Sequence, residues 1–167
     1  MKKSKRGKFF PFSRPYVFVS MSVDLFHHGH LNILLKAKKY GNVIVGLMTD
    51  KAIKSYKKRK PLIEFNDRKK ILRHLNCVDF IIPVTNLNFA KLAEKYKFDY
   101  AAHGTDWRSG NQAQARKNLI KVMKKWNGKV VEFAYTKKIS STKIKRSIGK
   151  SLTENTGSGY FTKRKTV

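Results

Sequence analysis

The sequence predicts an α/β protein, with a five-stranded parallel sheet between two helical layers. Three observations predict it. Short apolar, β-rich runs alternate with segments of helical periodicity, which reads as successive βαβ units. The 167 residues are 41% hydrophobic, enough for one compact domain with a real core. Clusters of histidine, hydroxyl and basic residues follow predicted strands, at the edge where parallel sheets bind ligands.

The elements run in this order. Residues 16–20, YVFVS, form a buried strand. A histidine-bearing loop follows, and a helix opens near His30 with Leu31, Leu34, Leu35 and Lys38 at helical spacing, ended by Gly41. Residues 43–48, VIVGLM, are a second buried strand. A basic connector over 51–60, opening as a helix, is closed by Pro61. Residues 66–75 form a helix capped by Asn66. Strand 79–83, helix 89–96 and strand 99–104 come next, then a long helix over 112–126 stopped near Gly128. A fifth strand spans 129–135, and a last helix opens at Ser141 or Thr142. The whole is a Rossmann-like three-layer α/β/α arrangement. Residues 1–14 read as a basic arm, 15–149 as the domain and 150–167 as a flexible basic tail.

Charge narrows the partners. Thirty-eight Lys and Arg against 10 Asp and Glu give a net charge of +28. Such a chain attracts polyanions: nucleotides, nucleic acid, anionic membrane. A merely solvated basic surface also fits. No apolar run approaches the roughly 20 residues of a membrane span. The basic, aromatic N-terminus is broken by Pro11, Ser13, Arg14 and Pro15, unlike a secretory signal. Cys77 is the single cysteine, so no disulfide forms within the chain, and a cytoplasmic setting is expected.

The chemistry sits in three loops. In MSVDLFHHGHLNIL, His27, His28 and His30 surround Gly29 where a strand gives way to a helix. Helix N-termini bind phosphate through free N–H groups and positive potential. Imidazoles there donate to phosphate oxygens and stabilise phosphoryl-transfer charge. Metal ligation is the other use of such histidines, but the spacing is not that of HExxH and no cysteine pair is near. His28 is expected to be exposed. Ser140, Ser141 and Thr142 precede the last helix, where capping accounts for one hydroxyl and Lys137, Lys138 and Lys143 favour an anion. Asp24 and Asp106 are scarce carboxylates, and one beside a polyphosphate points to Mg²⁺.

These residues carry a resemblance. MSVDLFHHGH resembles the GTFDxxHxGH signature of the cytidylyltransferase-like nucleotidyltransferases, KKISSTKI resembles their ISST signature, and HGTDW resembles the GDDW element of the glycerol-3-phosphate cytidylyltransferase branch. The match runs from about Tyr16 to Ile148. The longer runs VIVGLMTDKAIKSYK, HGTDWRSGNQ and GKVVEFAYTKKISST look like the cytidylyltransferases of phosphonate metabolism, which occur fused to or encoded near phosphoenolpyruvate mutase.

The resemblance implies the HxGH nucleotidyltransferase fold. It also implies transfer of CMP from CTP to a small phosphonate or phosphate monoester, with release of pyrophosphate. The leading acceptors are 2-aminoethylphosphonate and 2-hydroxyethylphosphonate; glycerol 3-phosphate, phosphocholine and phosphoethanolamine are alternatives, as is ATP for CTP. By the same resemblance His27, His30 and Lys60 are catalytic. Ser20, Met21, Ser22, Asp24, Gly29, Arg68, His103, Gly104, Asp106, Trp107, Ile139, Ser140, Ser141 and Thr142 bind nucleotide, Asp24 is a candidate Mg²⁺ ligand, and a homodimer is expected. Three departures stand out: Met21 and Ser22 replace the signature Gly and Thr, Thr105 replaces the first Asp of GDDW, and Lys138 stands where Gly is common. The rival from another class is a catalytically silent basic module binding nucleotide or nucleic acid. The basic arm and tail also suit non-specific contact with nucleic acid or anionic membrane.

Overall fold

A computed structural model describes residues 9–156. Its elements are β1 (Tyr16–Met21), α1 (His28–Lys38), β2 (Asn42–Met48), α2 (Asp50–Lys57), α3 (Phe65–Arg73), β3 (Phe80–Val84), α4 (Phe89–Tyr96), β4 (Tyr100–Gly104), α5 (Ala113–Met123), β5 (Lys129–Phe133) and α6 (Ser141–Thr156). The five strands form one parallel sheet in the order β3-β2-β1-β4-β5. This is the predicted α/β Rossmann-like architecture.

Period-two alternation in the strands builds two cores. Tyr16, Phe18 and Ile44 point to the layer of α2, α4 and α5, where Phe89, Phe98, Leu119 and Met123 are buried. Val17, Val19, Val43 and Val45 point the other way, against Leu34, Ala37 and Leu72 of α1 and α3. Each such side chain contributes about 1.5–3 kcal/mol when fully buried. Phe18 and Phe98 stack at 4.7 Å between ring centres.

The strand order reverses between β1 and β4, and this places the site. Those two strands pair only at Val17–Tyr100 and Phe18–Ala101. Beyond that point no neighbour fills the space between their carboxyl ends, and a crevice opens at the switch point.

Several boundaries differ from expectation. Helix α1 starts at His28, because His27 itself caps it. The connector after Thr49 is a regular helix to Lys57, capped by the Thr49 hydroxyl. Helix α3 is entered through Glu64, not Asn66, and lacks a side-chain cap bond. The long helix over 112–126 is α5 followed by a 3-10 turn at Lys124–Trp126. Strand β5 ends at Phe133. Helix α6 passes Gly149, the expected boundary of the tail, and continues to Thr156. The rest of the tail lies outside the described residues. The described part of the N-terminal arm packs on the domain: Phe10 is buried, and Arg14 pairs with Asp99 at 2.5 Å while donating to the Lys97 carbonyl. Among the described residues, no helix is long and apolar enough to cross a membrane.

Candidate active site

A cavity of about 330 Å³ opens at the switch point. Its floor is Val19, Ser20, Met21 and Ser22 at the end of β1, and its walls come from α1, α2, β4 and the segment entering α6.

The histidine loop is organised by the start of α1. His27 is the N-cap in an extended conformation, and its Nδ1 accepts from the Gly29 N–H at 3.1 Å. His30 reaches back, its Nδ1 accepting from the His27 N–H at 3.3 Å. This is a capping box built from two imidazoles. The rings stack at 3.9 Å. Nδ1 of each ring is an acceptor, so the neutral ring carries its proton on Nε2. Burial, with His27 and Lys57 nearby, lowers the His30 pKa to about 3, and burial beside His28 lowers that of His27. At neutral pH the pair therefore presents two uncharged Nε2–H donors beside a helix N-terminus. Gly29 makes the cap possible, since a Cβ there would lie 2.9 Å from the His27 ring. His28 is exposed, as expected.

The ISST segment faces this loop. Ser140 caps α6, its Oγ accepting from the Lys143 N–H at 3.2 Å, and Ser141 Oγ donates to the Leu25 carbonyl at 3.3 Å. Ile139, Ser140, Ser141 and Thr142 line the cavity. A Cβ at Gly29 would also touch Ile139 at 3.5 Å, so the N-termini of α1 and α6 converge on one space. Lys138 turns the chain into this segment at φ +74°, a conformation that favours glycine.

On the nucleoside side suggested by the resemblance, His103 and Asp106 line the cavity. His103 stacks on the buried Trp107 at 4.3 Å, nearly parallel. Asp106 lies 3.7 Å from His103, which holds its carboxyl below the usual range against the opposing effect of burial. A Cβ at Gly104 would sit 2.5 Å from the Asp106 carboxylate.

Five residues expected in the site do not line the cavity. Gly104 and Trp107 support it from behind. Lys60 is exposed beyond the end of α2, and Lys57 lines the cavity instead. Burial lowers the Lys57 pKa; Asp24 opposes this, while Arg59, Lys145 and Arg68 add to it. Arg68 is fully buried beneath the floor and clips strand ends together, donating to the carbonyls of Ser22 (2.5 Å) and Met48 (2.9 Å) and pairing with Asp50. Asp24 is also buried, and accepts from the N–H groups of Leu62 and Ile63 and from the Lys145 ammonium of α6. Burial alone would raise its pKa, but these donors outweigh burial and keep it below the usual carboxylate range. Asp24 thus has its oxygens engaged by protein donors, which does not fit a metal ligand. Among the described residues no group of three or more His, Cys, Asp or Glu is placed to hold a metal.

Tyr56, Gln112, Tyr135 and Thr136 line the cavity without having been expected there. Gln112 donates to the Tyr56 hydroxyl at 2.9 Å. For Tyr56 and Lys57 a signal existed: they lie three and four residues after Ile53, on the inward face of α2. Gln112, expected to open the long helix, instead ends a 3-10 turn before α5, and Thr136 lies outside periodic elements, where sequence gives no facing direction.

A cavity at the switch point of an α/β sheet, walled by two helix N-termini and lined by two imidazoles, is an arrangement suited to phosphate. Residues 22–147 match the cytidylyltransferase-like family model, and the chain belongs to that family of nucleotidyltransferases. Bifunctional protein HldE of Helicobacter pylori (strain P12) is 36% identical over 93 residues, which are 54% of this chain and 20% of that protein. HldE of Geobacter metallireducens is also 36% identical over 93 residues, covering 19% of its own length. The chain thus spans about a fifth of these curated relatives. The lipopolysaccharide core biosynthesis protein of Thermoplasma volcanium shares the fold, with TM-score 0.61, 22% identity, and 72% of this chain and 97% of that one covered. TmcAL of Thermotoga maritima, bound with alpha-thio ATP, does so with TM-score 0.59, 14% identity, and coverage of 85% and 52%.

Proposed function

We propose that this nucleotidyltransferase moves CMP from CTP to a small phosphonate or phosphate monoester, releasing pyrophosphate. The observation that carries the reading is the double-histidine cap. Both Nδ1 atoms are consumed by the start of α1, which leaves two Nε2–H donors on a cavity faced by the N-terminus of α6.

In this reading the triphosphate lies between the two helix N-termini, and the nucleoside lies toward His103 and Asp106. An acceptor oxygen attacks the α-phosphorus as the bond to the pyrophosphate oxygen breaks. Negative charge gathers on the α-phosphoryl oxygens and the leaving group. His27 and His30 meet that charge with Nε2–H bonds, and Lys57 meets it with an ammonium whose hydration burial has partly removed. None of these groups changes covalently. Mg²⁺ bound to the triphosphate would supply charge neutralisation on its oxygens; Asp24, held by Lys145 and the N–H groups of Leu62 and Ile63, would not be its ligand.

The leading acceptors are 2-aminoethylphosphonate and 2-hydroxyethylphosphonate, supported by the long runs around the three signatures. ATP in place of CTP is the second reading, favoured by Thr105 at a position where the related branch carries an aspartate. Pyrophosphate release tests both. CTP and ATP are each offered with the two phosphonates, glycerol 3-phosphate, phosphocholine and phosphoethanolamine. Release that needs CTP and a phosphonate is expected. Release only with ATP overturns the choice of nucleotide. Release with neither nucleotide and any acceptor, at full nucleotide saturation, overturns the choice of acceptors. A protein that binds RNA in a salt-sensitive way and binds no nucleotide overturns the whole reading.

A further inference from the structure

Glu132 lies on the edge strand β5, does not line the cavity, and belongs to none of the three signatures. Its carboxylate nevertheless collects five N–H donors from three residues. It accepts from Trp107 Nε1 at 2.7 Å. It accepts from Arg116 through Nε at 2.8 Å and Nη2 at 3.1 Å, and from Arg108 through Nε at 3.0 Å and Nη2 at 2.8 Å. Its side chain is only 11% exposed. Arg116, then Arg108 and Trp107, hold its pKa at about 2 against the opposing effect of burial.

Two guanidinium groups on one carboxylate exceed what neutralising that carboxylate requires, and Arg108, 59% exposed, has water as an alternative. The indole has no such alternative. Trp107 is buried in the core, and a buried indole N–H needs an acceptor. Glu132 is that acceptor, and its bond sets the rotation of the indole in its plane. The face of the indole in turn carries His103, stacked 4.3 Å away and within 3° of parallel. His103 and Glu132 are register partners across β4 and β5, so the chain from carboxylate to indole to imidazole closes on itself. The last member of that chain lines the cavity. Asp106 is tied to the same imidazole.

We propose that Glu132 is a positioning residue for the nucleotide. It fixes Trp107, Trp107 fixes the plane of His103, and that plane is the wall against which the nucleoside is selected. The proposal rests on the nucleotidyl-transfer reading above. Its consequence is specific: Glu132 governs nucleotide affinity and base preference, and leaves the chemistry at the histidine pair untouched.

The test is nucleotide binding by calorimetry with CTP and ATP on the full chain, together with steady-state turnover and near-UV circular dichroism. In Glu132→Gln the charge that draws the indole and both guanidinium groups is lost, and the nucleotide Kd is expected to rise about tenfold as the His103 wall loosens. The CTP-to-ATP preference narrows, kcat at saturating nucleotide stays within about threefold, and the aromatic dichroism of the stacked pair weakens while far-UV dichroism is kept. A folded variant with wild-type Kd and preference overturns the proposal, as does a loss of kcat at unchanged Kd. If Glu132→Gln fails to fold, Trp107→Phe removes the indole N–H that Glu132 accepts while keeping an aromatic ring beneath His103. A smaller rise in Kd is then expected, and no rise overturns the proposal. A wild-type chain that binds neither nucleotide refutes the functional reading and this proposal with it; a wild-type chain that binds, with variants that bind equally well, refutes this proposal alone.

Discussion

Replacing His30 by asparagine separates the two roles assigned to its ring. Nδ1 accepts from the His27 N–H at 3.3 Å, which is long for such a bond. Nε2–H is the donor left for the cavity. The asparagine Oδ1 stands two bonds from Cβ, as Nδ1 does, and accepts from the same N–H. It has nothing at the position of Nε2. A cap is typically worth about 1 kcal/mol, and this long bond lies at the lower end. His30→Asn should therefore lose no more than about 0.5 kcal/mol of stability. Removing one donor aimed at developing charge lowers turnover by about 10²–10³. His30→Gln reverses the pattern, placing an N–H near Nε2, and should recover part of the rate. His30→Ala loses both roles, with a fall in Tm of about 2–4 °C for a chain of this size. Pyrophosphate release and thermal unfolding followed by circular dichroism read the two quantities separately. A His30→Asn protein that turns over at the wild-type rate refutes the donor role. A His30→Asn protein that unfolds as early as His30→Ala refutes the capping role.

Three further predictions concern the same loops. Lys57→Met should lower turnover at least about tenfold, whereas Lys60→Met should leave it within about twofold, because only Lys57 faces the charge that builds at the cavity; equal losses in the two variants would contradict the placement. Between about pH 6.5 and 3 the unfolded chain takes up a proton that half-buried His30, with its pKa of about 3, refuses. Stability should thus decline as pH falls through that window, by up to about 1.4 kcal/mol per pH unit for this one group. Denaturant titrations at several pH values measure the slope, and His30→Gln should reduce it; an unchanged slope contradicts the assignment. Lys138→Gly should raise stability by up to about 1 kcal/mol, the cost of a left-handed side chain less the added freedom of glycine in the unfolded state, and a fall of more than about 1 kcal/mol in thermal unfolding would contradict it.

How legible was this site before the structure? The strands were plain, because runs such as VIVGLM are buried on both faces and leave little choice of element. The histidine cap was visible as residue types at a strand-to-helix junction, and so was the Ser140 cap. Direction was harder. Lys60 follows from the resemblance alone; a helix kept in phase with Ile53 as far as Lys57 turns Lys57 inward instead. Arg68 and Asp24 were expected to bind nucleotide, and Asp24 to hold Mg²⁺, but neither lines the cavity. Their roles beneath the floor depend on carbonyls and N–H groups brought together by tertiary folding, at Met48, Leu62 and Ile63. No local pattern records such partners. Glu132 shows the same limit from the other side, since nothing in KVVEFAY marks a glutamate that receives an indole and two guanidinium groups.

The most direct measurement is a ³¹P nuclear magnetic resonance time course on the wild-type protein with Mg²⁺, CTP and 2-hydroxyethylphosphonate or 2-aminoethylphosphonate. Nucleotidyl transfer at this cavity predicts loss of the free phosphonate signal, growth of a coupled pair of resonances from a new phosphonate-to-phosphate anhydride, and an equal growth of pyrophosphate. Resonances that stay unchanged with both phosphonates and with each phosphate-ester acceptor, under conditions where CTP is bound, would contradict it.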